Sequence, residues 1–151
     1  WKNLDNNKYM EFNMIENLMY YPIISDSLIQ NLIQNLKLGY YFYVLLHQTA
    51  IHSNRIYIVK YLIETKGLPT SEFSLYEASR TSIDMTKFIL LQKEFSSSIK
   101  QQVIHELKCM ELCKCYEYKL KRKHVICTKR INEFTPECRK QQDIIIEMLN
   151  C

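Results

Sequence analysis

Cysteine and histidine residues with the potential to bind a metal are concentrated in the last third of the chain. All six cysteines lie between positions 109 and 151. Structural zinc sites take four thiolate or imidazole ligands, usually as two pairs joined by a short loop. Two candidate pairs are formed by Cys113 with Cys115 and by His124 with Cys127. This spacing predicts a zinc site as one alternative; the other is that reduced cysteines pack as small apolar residues in a helical core.

Basic residues are clustered in the same part of the chain. The cluster consists of Lys119, Lys121, Arg122, Lys123, Lys129 and Arg130, and two tyrosines precede it at positions 116 and 118. Lysine and arginine neutralise phosphates and tyrosine stacks on unpaired bases, which predicts nucleic-acid binding as an alternative function. A nuclear address and a solvated basic loop are the other interpretations. The net charge of +4 is modest and does not by itself require a nucleic-acid partner.

The motifs of several common enzyme classes are missing from the sequence. The chain has two glycines, Gly39 and Gly67, and they are 28 positions apart. This distance excludes a P-loop or a dinucleotide fingerprint, because both need closely spaced glycines beside the phosphates. Neither His-Glu-x-x-His nor Gly-x-Ser-x-Gly occurs. His47 and His52 fall in a predicted helix, where a packing role is expected. We therefore predict that the chain is not an enzyme and needs no cofactor.

Composition favours a folded, helical chain inside the cell. Hydrophobic residues make up 47% of the sequence, whereas only two glycines and three prolines are available for turns. The longest apolar run, residues 39–46, is too short to span a bilayer, so no membrane partner is expected. Cysteines restricted to one end do not resemble a secreted disulfide scaffold. We predict a cytoplasmic location, with the nucleus as the alternative, and from Trp1 in place of Met we expect a fragment or a processed product.

Hydrophobic periodicity predicts a single all-α domain over residues 1–151. N-terminal helices are expected at about 11–39, paired helices at 46–95 and Cys/Lys-rich helices at 97–151. Either Ser25 or Asp26 is expected to cap the second helix, and Pro136 to begin the last one. The predicted core positions of the first six helices include Phe12, Ile15, Leu18, Met19, Leu28, Ile29, Leu32, Ile33, Leu36, Ile56, Val59, Leu62, Ile63, Ile83, Met85, Phe88, Ile89 and Leu91.

Two segments of the chain, residues 50–67 and 78–91, repeat one pattern. In each, a short helix is expected to open at an alanine, a polar break follows, and a second helix begins. The second helices align as Ile-x-Ile-Val-Lys-Tyr-Leu from Ile56 and Ile-x-Met-Thr-Lys-Phe-Ile from Ile83. Such self-similarity is typical of a solenoid, in which each helix pair buries its apolar face against a neighbour. The alternative is a helical bundle containing two hairpins of similar sequence.

The repeated pattern resembles the ankyrin repeat over about residues 46–91. "IYIVKYLIETKG" is similar to the second ankyrin helix, although the Thr-Pro opening of the first helix is absent and the period is shorter than the usual ~33 residues. The resemblance implies a helical-hairpin solenoid with extra capping helices at both ends, and a function in binding an intracellular protein. The contact positions it implies are Gln48, His52, Asn54, Arg55, Tyr76, Glu77 and Arg80. Neither the identity of the partner nor the oligomeric state follows from it.

The C-terminal segment also resembles a known motif, but less closely than the two hairpin segments resemble the ankyrin repeat. "FTPECRKQQDIIIEMLNC" resembles in outline the F-box-like segment that ends many poxvirus ankyrin proteins, with Pro136 near its start and aliphatic residues near its end. The leucine-proline opening is absent, because Phe134 and Thr135 stand there. This likeness implies recruitment of a ubiquitin-ligase adaptor. The alternative is a terminal helix that caps the core.

Overall fold

The computed structural model describes residues 2–110 and 136–151, and these residues form an all-α structure. No strand occurs in either range, which confirms the predicted fold class at this level. The helices within the two ranges are α1 (Lys2–Met19), α2 (Asp26–Asn35), α3 (Tyr40–His52), α4 (Ile56–Lys66), α5 (Glu72–Ser79), α6 (Ile83–Gln92), α7 (Ser97–Met110) and α8 (Pro136–Asn150). None of them is both long and apolar enough to cross a membrane.

The first compact unit, Trp1–Thr70, contains α1 to α4. Helix α3 packs against α1 and α4, while α2 packs against α1 and α4. Helix α3 therefore has few polar positions, and even Thr49 is buried there. The apolar core of this unit consists of Phe12, Ile15, Met19, Ile29, Ile33, Leu38, Tyr43, Leu46, Ala50, Ile51, Ile58, Val59, Leu62 and Leu68.

Local sequence signals explain the helix ends of this unit. The Ser25 hydroxyl caps α2 by accepting a hydrogen bond from the Leu28 amide at 3.2 Å, as one of the two predicted caps would. Gly67 ends α4 with a φ of 64°, in the left-handed region that glycine tolerates best. Gly39, in contrast, does not end α2. It precedes α3 in an extended conformation, because α2 already stops at Asn35.

The second compact unit, Ser71–Cys151, contains α5 to α8. Helix α5 packs against α6 and α7, and α8 packs against α6 and α7. A capping box starts α5: the side chains of Ser71 and Ser74 each accept a hydrogen bond from the other residue's amide at 3.2 Å. The described apolar core of this unit consists of Leu75, Ala78, Met85, Ile89, Phe95, Val103, Ile104, Leu107, Ile145 and Leu149.

Two leucines predicted to lie in the core are exposed. Leu91 is 84% exposed and Leu28 is 47% exposed. On α6 the buried face is set by Met85 and Ile89, and a residue two positions beyond Ile89 is rotated by roughly 200° around the helix. Leu91 therefore points to the opposite side. The prediction was wrong because the apolar run of α6 is wider than the face that the neighbouring helices cover.

Candidate functional site

The pairs α3–α4 and α5–α6 are helical hairpins, and in each turn a backbone amide donates a hydrogen bond back to a buried alanine. In the first hairpin the Arg55 amide donates to the Ala50 carbonyl at 2.8 Å, and in the second the Ser82 amide donates to the Ala78 carbonyl at 3.2 Å. Both alanines are fully buried. The first turn contains one more residue, Asn54, whose φ of 59° lies in the left-handed region. Because of this extra residue, Ala50 and Ala78 of the first helices are 28 positions apart, whereas Ile56 and Ile83 of the second helices are 27 positions apart.

Burial repeats from one hairpin to the other along the second helices. Helix α4 from Ile56 and helix α6 from Ile83 have the same succession of buried, half-buried and exposed residues over ten positions. The buried pairs are Ile58 with Met85, Val59 with Thr86, and Leu62 with Ile89. The second helices of the two hairpins therefore share a burial pattern as well as a sequence pattern. Ile58 was missing from the predicted stripe, whereas Ile56 and Ile63 are only half-buried.

The predicted contact positions of α3 lie on one side of that helix. Gln48 and His52 are separated by one helical turn and are half-buried, and Asn54 in the following turn is exposed. In the second hairpin Tyr76 and Arg80 occupy the positions equivalent to Gln48 and His52, and they are also half-buried. Each hairpin thus has a partly exposed polar pair at the same place on its first helix.

Tyr76 and Arg80 are in direct contact. The Arg80 guanidinium lies 5.0 Å from the centroid of the Tyr76 ring, and its Nη1 donates to the tyrosine hydroxyl at 3.1 Å. A cation–π contact combined with a hydrogen bond restricts the rotamers of both side chains. The pair therefore forms a defined surface feature before any ligand binds.

Arg55 has a structural role that the sequence did not indicate. Its side chain is only 11% exposed, and its guanidinium donates to the backbone carbonyls of Met19 at 3.1 Å, Ile24 at 2.7 Å and Tyr21 at 2.5 Å. Its Nη1 also lies 2.8 Å from a carboxylate oxygen of Asp26. These four contacts join the loop between α1 and α2 to the turn of the first hairpin. We therefore leave Arg55 out of the candidate contact surface.

Glu77 is likewise unsuited to contact a partner. It is 6% exposed and lies on the buried side of α5. Its predicted role assumed that residues next to Tyr76 share the outer face. A neighbouring residue on a helix is rotated by roughly 100°, which carries Glu77 toward the interior. The candidate surface that remains is formed by Gln48, His52 and Asn54 in one hairpin, and by Tyr76 and Arg80 in the other.

One buried histidine stands out in the first unit. His47 is 5% exposed, and its Nε2 has no hydrogen-bond partner among the residues that the structure describes. Burial disfavours the charged imidazolium and lowers the pKa of His47 from 6.5 to about 4. The sequence predicted a packing role at this position. In the structure the buried ring is neutral near pH 7, and protonating it at acidic pH is expected to destabilise the folded chain.

The metal-binding and nucleic-acid alternatives involve residues of which the structure gives no description. Cys113, Cys115, His124 and Cys127 lie outside the described residues, and so do Lys119, Lys121, Arg122, Lys123, Lys129 and Arg130. Within residues 2–110 and 136–151, no three metal-ligating side chains come together. One pair does: the Sγ of Cys109 lies 3.6 Å from the Nε2 of His105 on α7.

The second unit has one open groove near the ends of α6 and α8. Its volume is about 480 Å³, and its lining combines apolar side chains with two lysines. The lining residues include Leu90, Leu91, Lys93, Phe95, Lys100 and Met148. Lys93 Nζ lies 5.7 Å from the centroid of the Phe95 ring.

The C-terminal helix α8 begins at Pro136, as predicted. Ile145 and Leu149 are buried, whereas Ile144 is partly exposed. Because α8 packs against α6 and α7, its apolar face completes the core of the second unit.

Comparisons with known proteins found no matching family model, no matching curated protein and no matching solved structure.

Proposed function

We propose that this chain is a protein–protein interaction module of the ankyrin-repeat type, which binds an intracellular protein and catalyses no reaction. The observation that supports this proposal is that both hairpins have a turn hydrogen-bonded to a buried alanine and the same order of buried and exposed positions along their second helices. In repeat proteins the unit recurs because it presents equivalent surface positions, while the buried positions preserve packing. The proposed location is the cytoplasm, with the nucleus as the alternative.

The proposed contact surface consists of Gln48, His52, Asn54, Tyr76 and Arg80. These residues lie on the first helices and in the turn, where ankyrin-like units make contacts. Tyrosine and arginine are the residue types most enriched among interface hot spots. The contact between Tyr76 and Arg80 also reduces the rotamer entropy that binding would otherwise remove.

The proposal is tested by using the chain to capture binding partners from a cell lysate and comparing a contact variant with a control variant. The contact variant replaces Gln48, His52, Tyr76 and Arg80 by alanine. The control variant replaces Lys60 and Lys87, which are exposed at equivalent positions of the second helices. We expect the contact variant to lose the captured protein, because loss of a hot-spot side chain weakens binding by about 2 kcal/mol, or roughly thirtyfold. The control variant should capture the same protein as the unmodified chain.

A third variant tests the nucleic-acid alternative. It replaces Lys121, Arg122 and Lys123 by alanine, and the lysate is divided into nuclease-treated and untreated samples. Under the proposal, neither this variant nor nuclease changes the capture. If capture is lost with the basic variant or after nuclease, and the contact variant still captures, the function lies in the basic segment and the proposal is wrong.

A further inference from the structure

The face of α7 that points away from the core contains two side chains suited to metal coordination. Val103 and Leu107 are buried and define the inner face. His105 and Cys109 lie one helical turn apart on the opposite side, where His105 is exposed and Cys109 is half-buried. Because His105 is exposed, an ion bound there could complete its coordination with water.

The distance between the two ligand atoms fits a shared metal ion. Zinc binds histidine nitrogen at about 2.0–2.1 Å and thiolate sulfur at about 2.3 Å, with tetrahedral angles. These values place the nitrogen and sulfur ligands of one ion roughly 3.6 Å apart. The Cys109 Sγ and the His105 Nε2 are 3.6 Å apart in the protein, so the separation of the two ligand atoms already matches that of a chelated ion.

We propose that His105 and Cys109 form a two-residue chelate for a thiophilic divalent cation of the Zn²⁺ class on α7. On binding, the Cys109 thiol loses its proton to solvent and the resulting thiolate donates an electron pair to the ion. The Nε2 of His105 supplies the second ligand, which requires that the imidazole proton be on Nδ1. Water occupies the remaining positions. This site differs from the predicted set of Cys113, Cys115, His124 and Cys127, and it is independent of the proposed protein-binding function.

Titration of the reduced full-length chain with Zn²⁺, in competition with a chromophoric chelator, tests the proposal. We expect His105→Ala and Cys109→Ser each to weaken binding at this site by more than about tenfold, since a two-ligand chelate loses most of its affinity with either ligand. The matched control is Cys151→Ser, which removes an exposed thiol from the end of the chain and should leave the affinity unchanged. Titration with Co²⁺ should give a thiolate-to-cobalt absorption band that disappears in Cys109→Ser.

A second variant chain, from which the other candidate metal ligands are removed, separates binding by His105 and Cys109 from binding by the remaining cysteines. Cys113, Cys115 and Cys127 are replaced by serine and His124 by alanine, and far-UV circular dichroism checks that the helices remain. The proposal predicts that this background still binds one ion, and that adding Cys109→Ser abolishes the binding. It is overturned if the folded background binds no Zn²⁺ or Co²⁺. If the background fails to fold, the single variants decide: unchanged affinity in either His105→Ala or Cys109→Ser overturns the proposal.

Discussion

Replacement of Arg55 should destabilise the first unit more than replacement of any exposed charge. In Arg55→Ala, the carbonyls of Met19, Tyr21 and Ile24 lose a donor and the Asp26 carboxylate loses its ion-pair partner. A hydrogen bond to a charged group contributes about 1.5–3 kcal/mol to stability, but the four contacts share one side chain and their contributions are not additive. Asp26 is also partly solvated, at 29% side-chain exposure. We therefore expect a loss of about 3 kcal/mol in the free energy of unfolding.

Urea unfolding followed by circular dichroism measures this loss. With a slope of about 1.5–2 kcal/mol per M, the midpoint should fall by roughly 1.5–2 M. Arg55→Lys keeps the charge but cannot reproduce the planar fork that reaches several carbonyls, so its midpoint should lie between those of the unmodified chain and Arg55→Ala. Lys60→Ala is the control, because the lysine it removes is exposed and should change stability by less than about 0.5 kcal/mol.

Hydrogen exchange provides a local readout of the same contacts. The Ile24 amide donates to the Tyr21 carbonyl at 3.0 Å within the loop that Arg55 holds. We expect faster exchange in peptides covering residues 20–28 of Arg55→Ala, and little change in peptides covering α6. A loss below about 1 kcal/mol in Arg55→Ala, with unchanged exchange in this loop, would refute the reasoning that the guanidinium organises the unit.

Three further predictions concern single positions. His47 has a pKa of about 4 when folded and about 6.5 when unfolded, so the unfolded state binds more protons between these two pH values. The free energy of unfolding should therefore fall by about 3 kcal/mol as the pH drops from 6.5 to 4. In His47→Leu, acid titration followed by circular dichroism should lack this loss of stability. Gly67→Ala should cost about 1 kcal/mol, measured by urea unfolding, because its φ of 64° strains any side chain, although among the described residues beyond its two chain neighbours no atom lies within 4 Å of the added carbon. Ile89→Ala should cost about 3 kcal/mol in the same assay, while Leu91→Ser should change stability by less than about 0.5 kcal/mol; equal losses at the two positions would contradict the burial pattern of α6.

Local signals made much of the fold predictable. Ser25 before an apolar period predicted a cap, Pro136 predicted a helix start, and the aligned segments from Ile56 and Ile83 predicted equivalent helices. Each of these features depends on residues within one or two helical turns. Such information is contained in the sequence because neighbouring residues determine capping and periodicity.

Long-range contacts explain what the sequence did not reveal. Arg55 bonds to atoms 29 to 36 residues earlier in the chain, and no local pattern distinguishes such an arginine from an exposed one. Leu91 illustrates the reverse problem, since its apolar type suggested burial although the side chain is 84% exposed. The candidate contact surface also depends on long-range packing. Glu77 and Arg55 were predicted to belong to it from their positions in the chain, but their side chains are largely buried.

The hydroxyl of Thr86 has a consequence for how far the sequences of the two hairpins can differ. Thr86 is fully buried at the position where the first hairpin has Val59, and its hydroxyl donates to the Ser82 carbonyl one turn earlier at 2.7 Å. Since the polar atom is satisfied within its own helix, the position places no demand on a neighbouring helix and accepts either of two side chains of nearly equal shape. Substitutions of this kind lower the sequence identity between the two hairpins while leaving the shape of the buried side chain nearly the same. Hairpins of similar pattern are therefore easier to detect by the order of their buried and exposed positions than by their amino-acid identity.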